Sequence, residues 1–301
     1  MEFKDILNLI RWKNLLMLVL IMILIKYVLF LNFDAATYLN PYIFSLLVLS
    51  VITTTSAGYI INDVHDIPAD KVNKPGKVLV GKKISKDDAL LFYSVMNITG
   101  ILLGFVVSWY IKRISFSVVF ILASLLLYKY AIYFKKKYLY GNIIVSFLIF
   151  LSIIIIPVFD LVPATEPANQ ERQWELFLLV LKIASFAFLL TFLRELVKDI
   201  EDVEGDKRIG SESFPIEKGI RKSKKLLLFF SLFTILIILS FSYSYISIKY
   251  ITSIYLVIIV VAPLLYFIFK LKDAETKEDF HKLSNLLKLI MLSGILTVLL
   301  L

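Results

Sequence analysis

The chain has 301 residues, 59% of them hydrophobic, and its mean hydropathy is +0.84. Soluble domains are about 45–50% apolar, so this composition excludes an ordinary soluble globule and implies an integral membrane protein. There is no cysteine, which excludes disulfides, iron–sulfur clusters and thiolate zinc sites, and the formal net charge is +9. In a membrane chain that excess reads as cytoplasmic loop bias and not as a nucleic-acid surface.

Charged Glu2, Lys4, Asp5, Arg11 and Lys13 run directly into an apolar segment with no small-residue cleavage site behind it, so the start does not read as a removable signal. A span needs about 20 mostly apolar residues. Nine are predicted, at 14–31, 41–61, 88–110, 115–134, 142–159, 176–196, 225–247, 250–269 and 284–301. Short links such as Ile111-Lys112-Arg113-Ile114 and Ser247-Ile248-Lys249 make hairpins of neighbouring helices. Three links are longer, at 62–87, 160–175 and 197–224. The fold class is all-α and polytopic, with residues 1–301 as one domain.

An odd number of spans puts alternate links on one side. The side with the N-terminus, 62–87, 128–140, 194–225 and 270–288 holds 27 of the 33 Lys and Arg residues. The positive-inside rule places that side in the cytoplasm. Lys26 and Lys182 fall within spans and are expected to snorkel. The opposite side carries Asp160, Glu166 and Glu171 among Pro157, Pro163 and Pro167, which reads as an acidic surface connector.

Two cytoplasmic stretches carry the chemistry. Asp63, Asp66 and Asp70 stand at i, i+3 and i+7, a spacing that puts all three on one helical face. Asp199, Asp202 and Asp206 repeat it at a constant offset of 136 residues. Three like charges on one face repel, so a cation is expected among them. Three readings follow: a solvated acidic face, the coupling-ion site of a transporter, or a divalent metal site. Against the first, the spacing is duplicated and each copy abuts an apolar span. Against the second, the span interiors hold almost no acids.

Oxygen-only clusters suit Mg2+, which takes one or two carboxylates and completes its shell with water and phosphate oxygens. His65 turns off the aspartate face and His281 reads as ordinary surface in a charged loop, so zinc has no ligand set. Lys71, Lys135, Arg194 and Lys198 lie beside the clusters, and Asn62 adjoins Asp63. Carboxylates, Mg2+ and Lys/Arg together are equipment for a diphosphate. A diphosphate held at a membrane surface suggests an amphiphile, with its head in the metal site and its hydrocarbon tail among the helices. Isoprenyl diphosphates fit that description.

These residues resemble the UbiA superfamily of intramembrane prenyltransferases over essentially the whole chain. Asn62-Asp63-x-x-Asp66-x-x-x-Asp70 is similar to the family's first aspartate-rich motif, and Arg11-Trp12-Lys13-Asn14 to its Arg-x-x-Asn at the first span. Tyr130-x-x-x-x-Lys135-Lys136, with Gly141-Asn142, resembles the signature between the fourth and fifth spans. The resemblance implies nine helices around a central apolar chamber with the aspartates at its cytoplasmic end. It implies a Mg2+-dependent transfer of a polyprenyl group from its diphosphate to a lipophilic acceptor. All six aspartates would hold the metal-diphosphate, while Asn62, Lys71, Lys135, Arg194, Lys198, Arg11 and Asn14 would bind phosphate or orient the acids.

Within the superfamily, Lys198-Asp199-x-x-Asp202-x-x-x-Asp206 followed by Ser213-Phe214-Pro215-Ile216 looks most like the digeranylgeranylglyceryl phosphate synthase branch. Asn73-Lys74-Pro75 also fits that branch. Gly76-Lys77-Val78 stands where an Arg-Pro pair is usual, and Lys77 keeps the charge without the bidentate fork of Arg. An aromatic acceptor of the quinone, tocopherol or chlorophyll type is the alternative within the superfamily.

Overall fold

The computed structural model describes residues 3–73, 76, 78–245 and 249–301. Glu2, Lys74, Pro75, Lys77, Ser247 and Ile248, each singled out in the sequence, lie outside the described residues. Among the described residues nine helices are long and apolar enough to cross a membrane: α1 Trp12–Asn32, α2 Pro41–Asn73, α3 Lys86–Tyr110, α4 Ile114–Ile132, α5 Tyr140–Ala164, α6 Gln170–Glu201, α7 Ile220–Ser244, α8 Tyr250–Asp273 and α9 Lys277–Leu300. The nine predicted spans all correspond to these helices.

Large apolar side chains such as Leu102, Leu122, Phe229 and Leu236 are exposed on the outside of the bundle. That is the arrangement expected where lipid is the solvent, since outward apolar surface has no water to avoid. Inside, Leu, Ile, Val and Phe from the helices form a main core, and a second, smaller cluster gathers Leu9, Ile60, Val64, Val80, Ile84 and Ala89. Small residues let helices approach closely. A Cβ on Gly104 of α3 would lie 2.3 Å from the ring of Phe120 on α4. Phe120 in turn meets Phe159 of α5 edge-on, with ring centroids 5.6 Å apart.

Two elements run further than the hydropathy suggests. α2 does not stop at the apolar boundary but continues to Asn73 through Pro68, so the first aspartate cluster is on a helix and not in a link. The second cluster departs in the other direction. α6 ends at Glu201, Asp202 takes φ −99° and ψ 5°, and a separate six-residue helix, Val203–Arg208, carries Asp206. The second set therefore shares no single helical face. A two-residue parallel pairing, β1 Lys137–Tyr138 with β2 Glu212–Ser213, ties the α4–α5 link to the segment after that short helix.

The acidic surface connector is corrected in one respect. Asp160 is fully buried, and its carboxylate accepts from Lys26 Nζ at 2.6 Å and from the Leu39 backbone N–H at 2.8 Å. Lys26 also donates to the Leu39 carbonyl at 2.8 Å, so it does not snorkel. It sits in a π-helical turn, Ile25–Leu29, which re-aims side chains within a helix. Partners 134 residues apart form this pair, so no local pattern could announce it. Removing one partner of a buried pair leaves an uncompensated charge, so Lys26→Met is expected to cost about 3–5 kcal/mol. The double variant Lys26→Met, Asp160→Asn is expected to recover most of that loss. Thermal unfolding of the purified protein in detergent checks both.

Candidate active site

The helices enclose a cavity of about 1030 Å3. Its walls below the polar end are Leu18 and Ile21 of α1, Val51 of α2, Phe120 of α4, Ile155 of α5 and Ile183 of α6. Along α6 the step from Asp199 to Ile183 corresponds to about 24 Å of helix axis. The cavity thus has the proportions of a long hydrocarbon chain with a polar head.

All six aspartates line that cavity. On α2, Asp63 accepts from the Arg11 guanidinium at 2.9 Å. Asp66 is buried, accepts from Asn62 Nδ2 at 2.6 Å and is paired with Lys135. Asp70 is half-buried. Across the mouth, Asp199 accepts from Asn142 Nδ2 at 2.7 Å, Asp202 caps the end of α6, and Asp206 follows on the short helix. Asn14 donates to the Tyr59 hydroxyl at 3.4 Å, and Arg11 lies over the Tyr59 ring at 4.8 Å. Arg11 adopts φ 53°, a left-handed conformation uncommon for a residue other than glycine, and it does so where it reaches the cluster.

Burial, the largest single influence, works to discharge Lys135, but Asp66, by charge and hydrogen bond, together with Tyr130 and Asp206 raises the lysine above its ordinary value. Arg11 behaves alike, with burial opposed mainly by Asp63. Both cations are therefore held charged against the first cluster. Arg194 and Lys198 line the cavity and share one carboxylate, Glu195, at 3.2 and 2.7 Å. Lys71 is the expected site residue that the structure does not bring in: it is exposed and stays outside the cavity lining. At 100° per residue it lies about 140° around the helix from Asp66, so adjacency in sequence was misleading.

Several residues enter the site that the sequence reading did not assign to it. Asn73 donates from Nδ2 to the Asp202 carbonyl and accepts at Oδ1 from the Gly205 N–H, both at 3.0 Å. It cross-links the two aspartate-bearing segments. Glu195, Tyr59, Tyr130 and Lys288 also line the cavity, and Asn142 stands behind it, bonded to Asp199. Glu195 was legible in principle, since it precedes Asp199 by one helical turn. His281 is not loop surface. It lies on α9 and its Nδ1 meets Glu201 Oε1 at 2.9 Å.

The donor set is oxygen-rich and free of thiolates. Among the described residues no group of three or more His, Cys, Asp or Glu converges closely enough to hold one ion. Asn62 Oδ1 is buried with no hydrogen-bond partner while its Nδ2 is engaged with Asp66. Carboxylates that do not converge in threes, with an orphaned carbonyl oxygen beside Asp66, fit a hard cation that keeps water and phosphate in its shell, as Mg2+ does.

The model of the UbiA prenyltransferase family matches residues 12–289. The chain belongs to the UbiA prenyltransferase family. It is a multi-pass membrane prenyltransferase. It is 31% identical over 247 residues to the digeranylgeranylglyceryl phosphate synthase of Methanosphaera stadtmanae, covering 81% of this chain and 82% of that protein. The synthase of the same name from Saccharolobus solfataricus is 30% identical over 245 residues, covering 81% and 79%. Among solved structures, one from a study of digeranylgeranylglyceryl phosphate synthase in membranes superposes with a TM-score of 0.61 at 25% identity, covering 99% of each chain. A UbiA homolog from Archaeoglobus fulgidus bound to DMAPP and Mg2+ shares the fold at a TM-score of 0.59 and 17% identity, covering 99% of this prenyltransferase and 100% of that chain.

Proposed function

We propose that this prenyltransferase moves a geranylgeranyl group from its diphosphate to the free hydroxyl of geranylgeranylglyceryl phosphate, in a Mg2+-dependent reaction at the cytoplasmic mouth of the chamber. The observation that carries this reading is the pairing of two carboxylate-bearing segments, cross-linked through Asn73, over one deep apolar cavity. The names of the relatives at 30–31% identity support the acceptor. In this reading residues 1–301 act as one domain, and the lysine and arginine bias supports a cytoplasmic mouth.

The two sets of aspartates would hold Mg2+ with the donor diphosphate, one or two carboxylates to each ion. The bound Mg2+ would stabilise the negative charge that builds on the departing diphosphate. Asn62 and Asn142 orient Asp66 and Asp199 by donating to one oxygen of each. Lys135 and Arg11, held charged, add fixed positive charge where the leaving group develops its own. Asn14 supports Tyr59 beneath Arg11. The apolar wall from Val51 to Ile155 keeps water from the allylic carbon once the C–O bond to diphosphate weakens. The acceptor hydroxyl oxygen forms the new C–O bond, the bonding pair leaves with the diphosphate, and the diphosphate carries away the hydroxyl proton.

The test is to supply labelled geranylgeranyl diphosphate and Mg2+ to the protein in liposomes, with geranylgeranylglyceryl phosphate in one arm and an aromatic acid in the other. The expected product is the doubly prenylated glyceryl phosphate, identified by mass, and its formation stops on adding a chelator. Product only in the aromatic arm would overturn the acceptor assignment.

A further inference from the structure

Charged groups of both signs meet at the cavity mouth. Three of the acids are met by specific partners: Asp63 by Arg11, Asp66 by Asn62 and Lys135, Asp199 by Asn142. From α1, α6 and α9 the lining also takes Lys13, Arg194, Lys198 and Lys288, with Glu195 beside two of them. Within α6 the two signs fall on adjacent edges. Arg194 and Lys198 are four apart and share one edge, while Glu195 and Asp199 are four apart and share the adjacent one.

Lys288 is the least explained of these cations. It lies part-buried within the apolar stretch of α9 and lines the same cavity as Arg194 and Lys13. Among the described residues no carboxylate answers it. Arg194 Nε is likewise buried with no hydrogen-bond partner. Like charges gathered at a low-dielectric surface repel, and an anion that joins them relieves that repulsion.

We propose that Lys288, with Arg194 and Lys13, forms a metal-free anion subsite that takes the phosphate monoester of the acceptor lipid. This rests on the function proposed above and reassigns Arg194 from the donor diphosphate to the acceptor. The chemistry favours the division. A glyceryl phosphate carries its hydroxyl and its phosphate only a few bonds apart. An acceptor whose hydroxyl reaches the donor's allylic carbon therefore sets its phosphate next to the donor's diphosphate. Two anions that close repel unless each has its own counter-charge. The carboxylates cannot serve an anion directly, because they need metal ions between. Lysine and arginine can. The subsite thus makes the enzyme select an acceptor by its phosphate, and Lys288 is the residue that reads it.

The experiment compares two acceptors, geranylgeranylglyceryl phosphate and geranylgeranylglycerol, in the wild type, Lys288→Ala and Lys288→Arg, with the KM of the donor measured in parallel. The wild type is expected to prefer the phosphorylated lipid. Losing one charge-assisted contact should raise the KM of Lys288→Ala for that lipid on the order of tenfold to a hundredfold. Its KM for geranylgeranyl diphosphate and its turnover of geranylgeranylglycerol stay unchanged, and Lys288→Arg keeps the preference. A rise in donor KM, an equal fall for both acceptors, or no change at all would each overturn the proposal. If the wild type prenylates neither lipid, the proposed function fails by itself. The subsite is then judged by equilibrium binding of geranylgeranylglyceryl phosphate, which must weaken in Lys288→Ala and is refuted if it does not.

Discussion

Asp66→Asn is expected to lower turnover on the order of 10²–10³-fold or more, the scale of losing one preorganised group that serves developing charge. The substitution keeps the shape, and the new amide oxygen can still accept from Asn62 Nδ2. What it removes is the negative charge that Lys135 and a metal would share. Asp66 is buried, so some stability is lost as Lys135 gives up its partner. The measurement is therefore turnover per folded protein, with thermal unfolding of the same preparation. A folded Asp66→Asn enzyme with wild-type turnover would refute its role. Asp202→Asn across the mouth is expected to behave the same way.

Breaking the latch between the two aspartate segments is the second large effect. A Cβ on Gly205 would lie 2.4 Å from the Asn73 side chain. The amide end of Asn73 is free to swing aside, so Gly205→Ala is expected to fold. In doing so it gives up the bonds to the Asp202 carbonyl and the Gly205 N–H. Each is worth about 0.5–1.5 kcal/mol, a modest share of stability. The cost to catalysis is larger, because a shift of about 1 Å in a catalytic group can cost on the order of 10²-fold. Asn73→Ala should reproduce that loss without any steric clash. The double variant should be no worse than either single one, since all three remove one interaction. Wild-type kcat in Asn73→Ala would show that the latch does not position the site.

Much of this was legible because the bilayer imposes long-range order on local pattern. Runs of apolar residues must span, so the nine helices follow from hydropathy alone. Side-chain period then put Asp63, Asp66 and Asp70 on one face, which the continuous helix Pro41–Asn73 provides. The same rule failed for the second set, where backbone geometry at Asp202 breaks the helix. It also explains Lys71, which was chosen by adjacency when helical angle should have excluded it. Contacts between distant segments were not legible. The Lys26–Asp160 pair and the Asn73 bridge join residues more than a hundred apart, and each partner alone has an ordinary local reading. Lys288 looked like one more inside-positive lysine until α9 packed against α6 and put it in the cavity lining.

The most direct measurement is Mg2+-dependent binding of geranylgeranyl diphosphate to the wild type, Asp66→Asn, Asp202→Asn and the double variant, each checked for folding. If both aspartate sets hold one metal-diphosphate, each single variant loses most of the Mg2+-dependent affinity and the double variant loses little more. Affinity that is independent of Mg2+ in the wild type would contradict a shared site at the mouth of the chamber. So would a single variant that binds as the wild type does.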